Sequence, residues 1–353
     1  TYPCLEGVNH LRLTDVNADE ILDLVVLSPQ EHVLGICRFV DGRLEFPTPL
    51  ALGYEAVVMD LADVNGDGVQ EVVALGQEEG GRSASTLLVG HIAGETWESL
   101  VDPAASELEL RGDAHRITHG DFDFDGRDEI IVTFEGNREP QMFRFDDAFA
   151  ATEVVSTSGA GIGEIEITEM FVDNAADAAD SLLTANETYA RRLAWEQGAG
   201  WRIVEQFNAV GGSPRVTRAI TIDIDPAQGK EIILWDDTAH ALRLFRNEEG
   251  VSRQYDQIDI GAFPLAGMQA KDINRDGKDD LLLVGTSQFA VLLTGVQQGT
   301  FEEVASYENA EPEEVLFGDL IVGDINSDGL PEPILIDMLR HSIEIVASPP
   351  GKR

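Results

Sequence analysis

Cysteine is nearly missing from this chain of 353 residues, which holds only Cys4 and Cys37. That excludes a disulfide-dense scaffold and a cysteine-ligated zinc module. The pair leaves two readings open: one disulfide pinning the N-terminal segment to the strands around Cys37, or two buried thiols. Lysine is scarce too, because 20 of the 24 basic residues are arginine. Against 65 acids these bases leave a formal charge of −41, which repels nucleic-acid phosphates and anionic membrane surfaces. Long apolar runs are absent, and none approaches the roughly 18 residues that a membrane-spanning helix needs. Nucleic acid and membrane insertion are therefore not expected.

Catalytic signatures are missing as well. The chain has no nucleophile elbow, no phosphate-cradling glycine loop and no metalloprotease motif. Its seven histidines show no convergent spacing. His115 and His119 stand four apart, which on a strand is about 13 Å and too far to share one zinc ion. The chain opens at Thr1 with no secretory leader, which fits either a cytoplasmic protein or a mature or trimmed chain, and a start at Thr rather than Met favours the second.

What the sequence does have is a recurrence. "DVNADEILDLVVL" from Asp15, "DVNGDGVQEVVAL" from Asp63, "DFDFDGRDEIIVT" from Asp121, "DINRDGKDDLLLV" from Asp272 and "DINSDGLPEPILI" from Asp324 are five copies of one pattern. Weaker copies start at Asp173 and Asp223. Starts at residues 15, 63, 121, 173, 223, 272 and 324 lie 48 to 58 residues apart, so one period covers residues 1–353 and leaves no room for a second domain. Alternating residues precede each loop and β-branched or leucine-rich runs succeed it, so both flanks read as strands. Two further short strands complete most units, bounded by turn residues. Four strands in about fifty residues describe a propeller blade, and seven units make an all-β, seven-bladed β-propeller of four-stranded antiparallel blades. The last unit shows three clear strands, and residues Tyr2 to Val8 are expected to supply its fourth.

The loops have the chemistry of a calcium site. Oxygen side chains at positions 1, 3 and 5, a carbonyl at 7 and a carboxylate at 9 make the shell that a hard cation wants, with glycine at 6 for the bend. The candidate ligands are Asp15, Asn17, Asp19 and Asp23 in loop one, Asp63, Asn65, Asp67 and Glu71 in loop two, and Asp121, Asp123, Asp125 and Glu129 in loop three. Loop six offers Asp272, Asn274, Asp276 and Asp280, and loop seven Asp324, Asn326, Asp328 and Glu332. About five Ca²⁺ sites are expected. Loop one has Glu20 in the glycine place, which predicts a backbone penalty and weakened binding. Loop four lacks ligands at Ala175 and Ser181, and loop five has Ala227 and then Lys230 beside Glu231, so both are expected to have lost the ion. Position 12 of the intact loops holds Val26, Ala74, Val132, Leu283 and Leu335, which excludes the helical calcium motifs that need an acid there. The plain alternative is that Asp-Gly pairs merely make hairpin turns.

The pattern D-x-[DN]-x-D-G-x-x-[DE] leading into a strand resembles the FG-GAP or VCBS repeats of integrin α-subunit propellers, certain fungal lectins and many secreted bacterial proteins. The pair Phe317-Gly318 adds to the likeness, while the Gly-Ala-Pro half of the name is missing. The resemblance implies metal loops joining the first two strands of each blade, structural calcium, and partners bound on the opposite face or in clefts between blades.

Other candidates weigh less. Five and three residues before the loop aspartates stand His10, Arg116, Thr168, Arg218 and Asp319, then Arg12, Asp60, Thr118 and Gln269. Such a set could line a central channel, with His10, Arg116 and Arg218 contacting a ligand, or make ordinary inter-blade hydrogen bonds. Trp97, Trp195, Trp201, Trp235 and Tyr189 suit either sugar stacking or seam packing. Arg111-Gly112-Asp113 matches a cell-adhesion tripeptide, and Asn186-Glu187-Thr188 a glycosylation sequon.

The leading expectation is a secreted, extracellular or cell-surface recognition module stabilised by calcium, binding a glycan or an extracellular protein. A polysaccharide lyase using His10, Arg116 and Arg218 is the enzyme alternative. Against it, five bound Ca²⁺ would raise the charge only to about −31, still repelling polyanionic uronans. The third reading is a structural subunit that self-assembles or belongs to a larger secreted protein, suggested by the linker-like "SPPGKR" end.

Overall fold

The second strand of every unit is the element that fixes the architecture. Runs such as Asp23–Ser28, Glu129–Phe134, Glu231–Asp236 and Asp280–Gly285 are buried at every residue. A strand buried on both faces must lie inside a stack of sheets rather than on a surface. The computed structural model describes residues 1–77, 86–102, 108, 110–134, 139–154, 169–174, 178–226, 229–261, 263–294, 301–308 and 314–346. In it the chain forms seven four-stranded antiparallel sheets, plus a two-stranded hairpin of Phe39–Val40 and Arg43–Leu44.

Blade one runs His10–Thr14, Asp23–Ser28, Val33–Cys37 and Thr48–Ala51 from inside out, and the others repeat that order. The innermost strands of blades one to seven are His10–Thr14, Glu55–Ala62, Ala114–Gly120, Glu169–Asp173, Val216–Ile222, Leu265–Lys271 and Phe317–Gly323. Each touches the innermost strand of the next blade, and that of blade seven touches that of blade one, so the ring closes. Blade seven takes its outermost strand from the other end of the chain: Tyr2 pairs with Ile343 and Pro3 with Ser342. This strand covers Tyr2–Pro3, shorter than the Tyr2 to Val8 span expected.

The hydrophobic core is divided among the seven seams between blades. Phe122, Ile131 and Met142 of blade three, for example, meet Met170, Leu182, Leu193 and Trp201 of blade four. Leu11, Leu24 and Val26 of blade one meet Ile321, Ile334 and Ile336 of blade seven. Trp201 and Trp235 are buried in these seams. Trp97 lies over Gly90, where any Cβ would meet its ring at 2.5 Å. Cys4 and Cys37 are free thiols in the seam between blades seven and one, and burial pushes Cys4 up to about 12 and raises Cys37 as well.

Candidate metal loops and the axial hub

Each intact loop joins the first and second strands of its blade and is wound around its first aspartate. Asp63 Oδ1 accepts the amides of Gly66 (2.7 Å) and Asp67 (3.2 Å), and its Oδ2 accepts that of Gly68 (2.8 Å). Asp272 and Asp324 hold the fifth and sixth residues of their loops in the same way. The sixth position is left-handed at Gly68, Gly126, Gly277 and Gly329, and at Glu20 (φ 68°), so loop one keeps the bend with a strained residue. The fourth position is left-handed too, at Ala18, Phe124, Arg275 and Ser327. That second constraint gives no sign in the sequence, because only loop two has glycine there (Gly66).

The closing carboxylate of each loop is buried at the head of the second strand. It accepts the amide of position two: Val64 to Glu71 (3.1 Å), Phe122 to Glu129 (3.0 Å), Ile273 to Asp280 (3.2 Å) and, in loop one, Val16 to Asp23 (3.3 Å). Burial, reinforced by repulsion from the loop's own aspartates, raises Glu71 and Glu332 to about 7 and Asp280 to about 6. Glu332 is 3% exposed and its Oε2 has no hydrogen-bond partner. A buried, unpartnered carboxylate oxygen facing other acids is what a divalent cation satisfies. Loop seven fits calcium on this test, and loops two and six present the same all-oxygen donor chemistry around a raised, buried closing carboxylate.

Loop three differs. The oxygens of Asp121, Asp123 and Glu129 lie within 4.8 Å of one another, the only such cluster among the described residues. Yet the Arg144 guanidinium bonds two of the three, through Nε to Glu129 Oε1 (2.9 Å) and through Nη2 to Asp123 Oδ2. Loop four also meets a protein cation. Lys230 Nζ, from blade five, reaches Asp173 Oδ1 (2.9 Å) and the carbonyl of Asn174 (2.7 Å), and Arg192 adds an ion pair to Asp173 (3.2 Å). Lys230 therefore bonds loop four, while its charge also acts on Asp223 of its own loop. Ala175 and Ala227 lie outside the described residues.

The loops are clamped to one another around the ring. The eighth residue of loop three, Asp128, donates its amide to Asp63 O (2.8 Å), and its Oδ2 accepts the amide of Asp63 (3.1 Å). Asp180 does the same to Asp121, and Asp279 to Asp223.

At the axis, a cavity of about 390 Å³ is lined by Arg12, Asp60, Gln70, His119, Gln269 and Asp319 among others. Arg12 bonds Asp60 through Nε (2.5 Å) and Asp319 through Nη1 (2.8 Å). His119 puts Nδ1 on Asp128 (2.9 Å) and Nε2 3.8 Å from Asp60. Burial alone would raise Asp60, but Arg12 and His119 outweigh it and hold this carboxyl at about 2. Burial likewise works against charge on His119, while Asp128 and Asp60 raise it.

Of the residues singled out in the sequence, Arg12, Asp60, Gln269 and Asp319 come together at this cavity. His10 stands with Nδ1 4.0 Å from Asp319, and burial lowers its pKa. Arg116, whose charge His10 feels, and Arg218 each come just after a bulge in the inner strands of blades three and five, which interrupts the alternation expected there. Thr168 lies outside the described residues. His119 joins the hub from the place that Leu13, Leu61 and Val322 fill in other blades. Its sequence signal is a polar residue at an otherwise mostly apolar position.

A second cavity of about 160 Å³ opens between blades three and four, lined by Arg111, Gln141, Met142, Glu153, Trp195 and Trp201 among others. Trp195 and Trp201 meet edge to face at 5.5 Å. Arg111, the first residue of the adhesion-like tripeptide, pairs with Glu153 and donates its amide to Gln141 Oε1 (2.8 Å).

Residues 15–74 and 272–334 match the model of the FG-GAP-like repeat. No curated protein matches the chain in sequence. The crystal structure of BBS1N in complex with ARL6DN, soaked with mercury, is similar with a TM-score of 0.64 at 10% identity, covering 99% of this chain and 94% of that one. The same complex soaked with lead gives 0.62 at 9% identity over 98% and 94%. A functionally unknown protein from Desulfotomaculum acetoxidans gives 0.53 at 11% identity over 92% and 94%. At such identities the likeness concerns the fold, and with the closed ring it leads to one statement: the chain is a seven-bladed β-propeller that carries FG-GAP-like repeats at residues 15–74 and 272–334.

Proposed function

We propose that this protein is an extracellular recognition module, stiffened by calcium in its intact loops, that binds a glycan in the cleft between blades three and four. The carrying observation is that cleft: the half-buried Trp195, backed edge to face by the buried Trp201, stands beside Arg111, Gln141 and Glu153. Aromatic surface next to a few directional polar groups suits a sugar ring, which has apolar faces and hydroxyl edges. Calcium when bound supplies positive charge to loops two, six and seven, where Glu71, Asp280 and Glu332 would hold it with the loop aspartates. A protein partner is the second reading, favoured by the similar propeller BBS1N, which is in complex with ARL6DN.

Binding to a glycan array, in calcium and in excess chelator, tests the proposal together with Trp195→Ala. The expected result is binding to a limited set of glycans that the substitution abolishes while circular dichroism shows the β-fold retained. Accumulation of unsaturated uronate products in a parallel lyase assay would replace recognition by catalysis. No glycan binding, with capture of a purified extracellular protein, would favour the second reading.

A further inference from the structure

We infer that Arg144 takes the place of calcium in loop three, so that this blade carries its own tethered cation and needs no ion. The inference rests on the reading of the other intact loops as calcium sites.

Three observations meet here. First, loop three has the full complement of acids, Asp121, Asp123, Asp125 and Glu129, and by its own residues is as good a calcium loop as loop two. Second, the guanidinium forks across two of those acids, Asp123 and Glu129, whose side chains are 9% and 0% exposed. A planar fork with two donors on two carboxylates is the strong form of such a pair. A divalent ion placed among the same oxygens would face a fixed positive charge that has already taken a lone pair from each. Third, the placement comes from strand register. Ile130 pairs with Phe143, so the next residue on the third strand, Arg144, faces Glu129. In loop six the pair Leu281–Leu292 puts Leu293 at the equivalent place, which leaves Asp280 no cation of that kind. In loop two Val72 pairs with Gly90, so His91 stands there, and it turns to Glu98 (3.4 Å). Asp123 Oδ1 is buried without a hydrogen-bond partner, as Glu332 Oε2 is in loop seven, but the guanidinium already offsets the charge of the Asp123 carboxylate, whereas Glu332 meets no cation among the described residues. Removing the guanidinium would leave Glu129 with the Phe122 amide alone and Asp123 without a cation, a pair of buried carboxylates that an ion from solution could offset.

The test counts calcium ions per chain by native mass spectrometry and equilibrium dialysis for the wild type, Arg144→Gln, Arg144→Lys and Asp123→Asn. Arg144→Gln is expected to bind one ion more than wild type, with a melting temperature that calcium raises further than it does in wild type. Arg144→Lys, which keeps the charge, is expected to match the wild-type count. Asp123→Asn is expected to lose no ion, and it serves should the glutamine variant fail to fold. Loss of one ion in Asp123→Asn, or an unchanged count in Arg144→Gln beside a wild type that binds several, overturns the assignment and leaves the other calcium loops standing. No ion in wild type or any variant overturns both readings.

Discussion

Replacing Asp60 by asparagine removes the acid that holds Arg12 on one side of the hub and faces His119 on the other. Asp60 is brought from its ordinary 3.8 to about 2 in the folded chain, and its side chain is 15% exposed. A depression of roughly two units, at about 1.4 kcal/mol per unit, is worth about 2 to 3 kcal/mol of folding stability. Breaking one partner of a buried ion pair costs about 3 to 5 kcal/mol, but Arg12 keeps Asp319, so the lower figure should hold. The sign comes from the direction of the shift. A depressed carboxyl stabilises the fold at pH above its unfolded value, and that contribution is lost as pH falls from about 4 towards 2. Urea unfolding of Asp60→Asn and wild type at pH 7 should differ by about 2 to 3 kcal/mol, and the gap should close in acid by about pH 2. A difference that stays constant across that pH range, or none at pH 7, would refute the hub as a source of stability.

Excess chelator should lower the melting temperature of the wild type, because each ion held only by the folded chain at a hundred times its Kd adds about 2.7 kcal/mol; a melt unchanged in chelator counts against structural calcium. Lys230→Ala should destabilise the seam between blades four and five by at most about 1 kcal/mol, since Lys230 is part-exposed and Asp173 keeps Arg192; hydrogen exchange should report the loss in Ser181–Asn186 rather than in blade one. Phe122→Ala, emptying a fully buried site beside Trp201, should cost about 3 to 5 kcal/mol by denaturant unfolding. Cys4 and Cys37 should resist a thiol reagent in the native protein and react as two thiols once it is unfolded; fast reaction of either in the folded state would contradict their burial.

The repeats, the strands and the loop acids are legible in the sequence because each is local: a loop of nine residues and a strand of six advertise themselves by spacing alone. The residues that modify them are not. Arg144 reaches Glu129 across a strand pair and Lys230 reaches Asp173 from the next blade, contacts that exist only once register and neighbours are set. The same holds at the axis. Arg12, Asp60 and Asp319 stand out as polar positions on inner strands, but pairing residue 12 with residue 319 depends on the ring closing. Lys230 is the instructive case, since its position beside Glu231 suggests damage to loop five, while its ammonium neutralises loop four.

The clamps formed by Asp128, Asp180 and Asp279 all point the same way, from a later blade back to the first aspartate of the one before. Injury to this molecule should therefore travel upstream. A lesion in Asp128 would disturb the acidic loop at Asp63 before the one in its own blade, so mapping damaged residues to affected blades requires an offset of one around the circle.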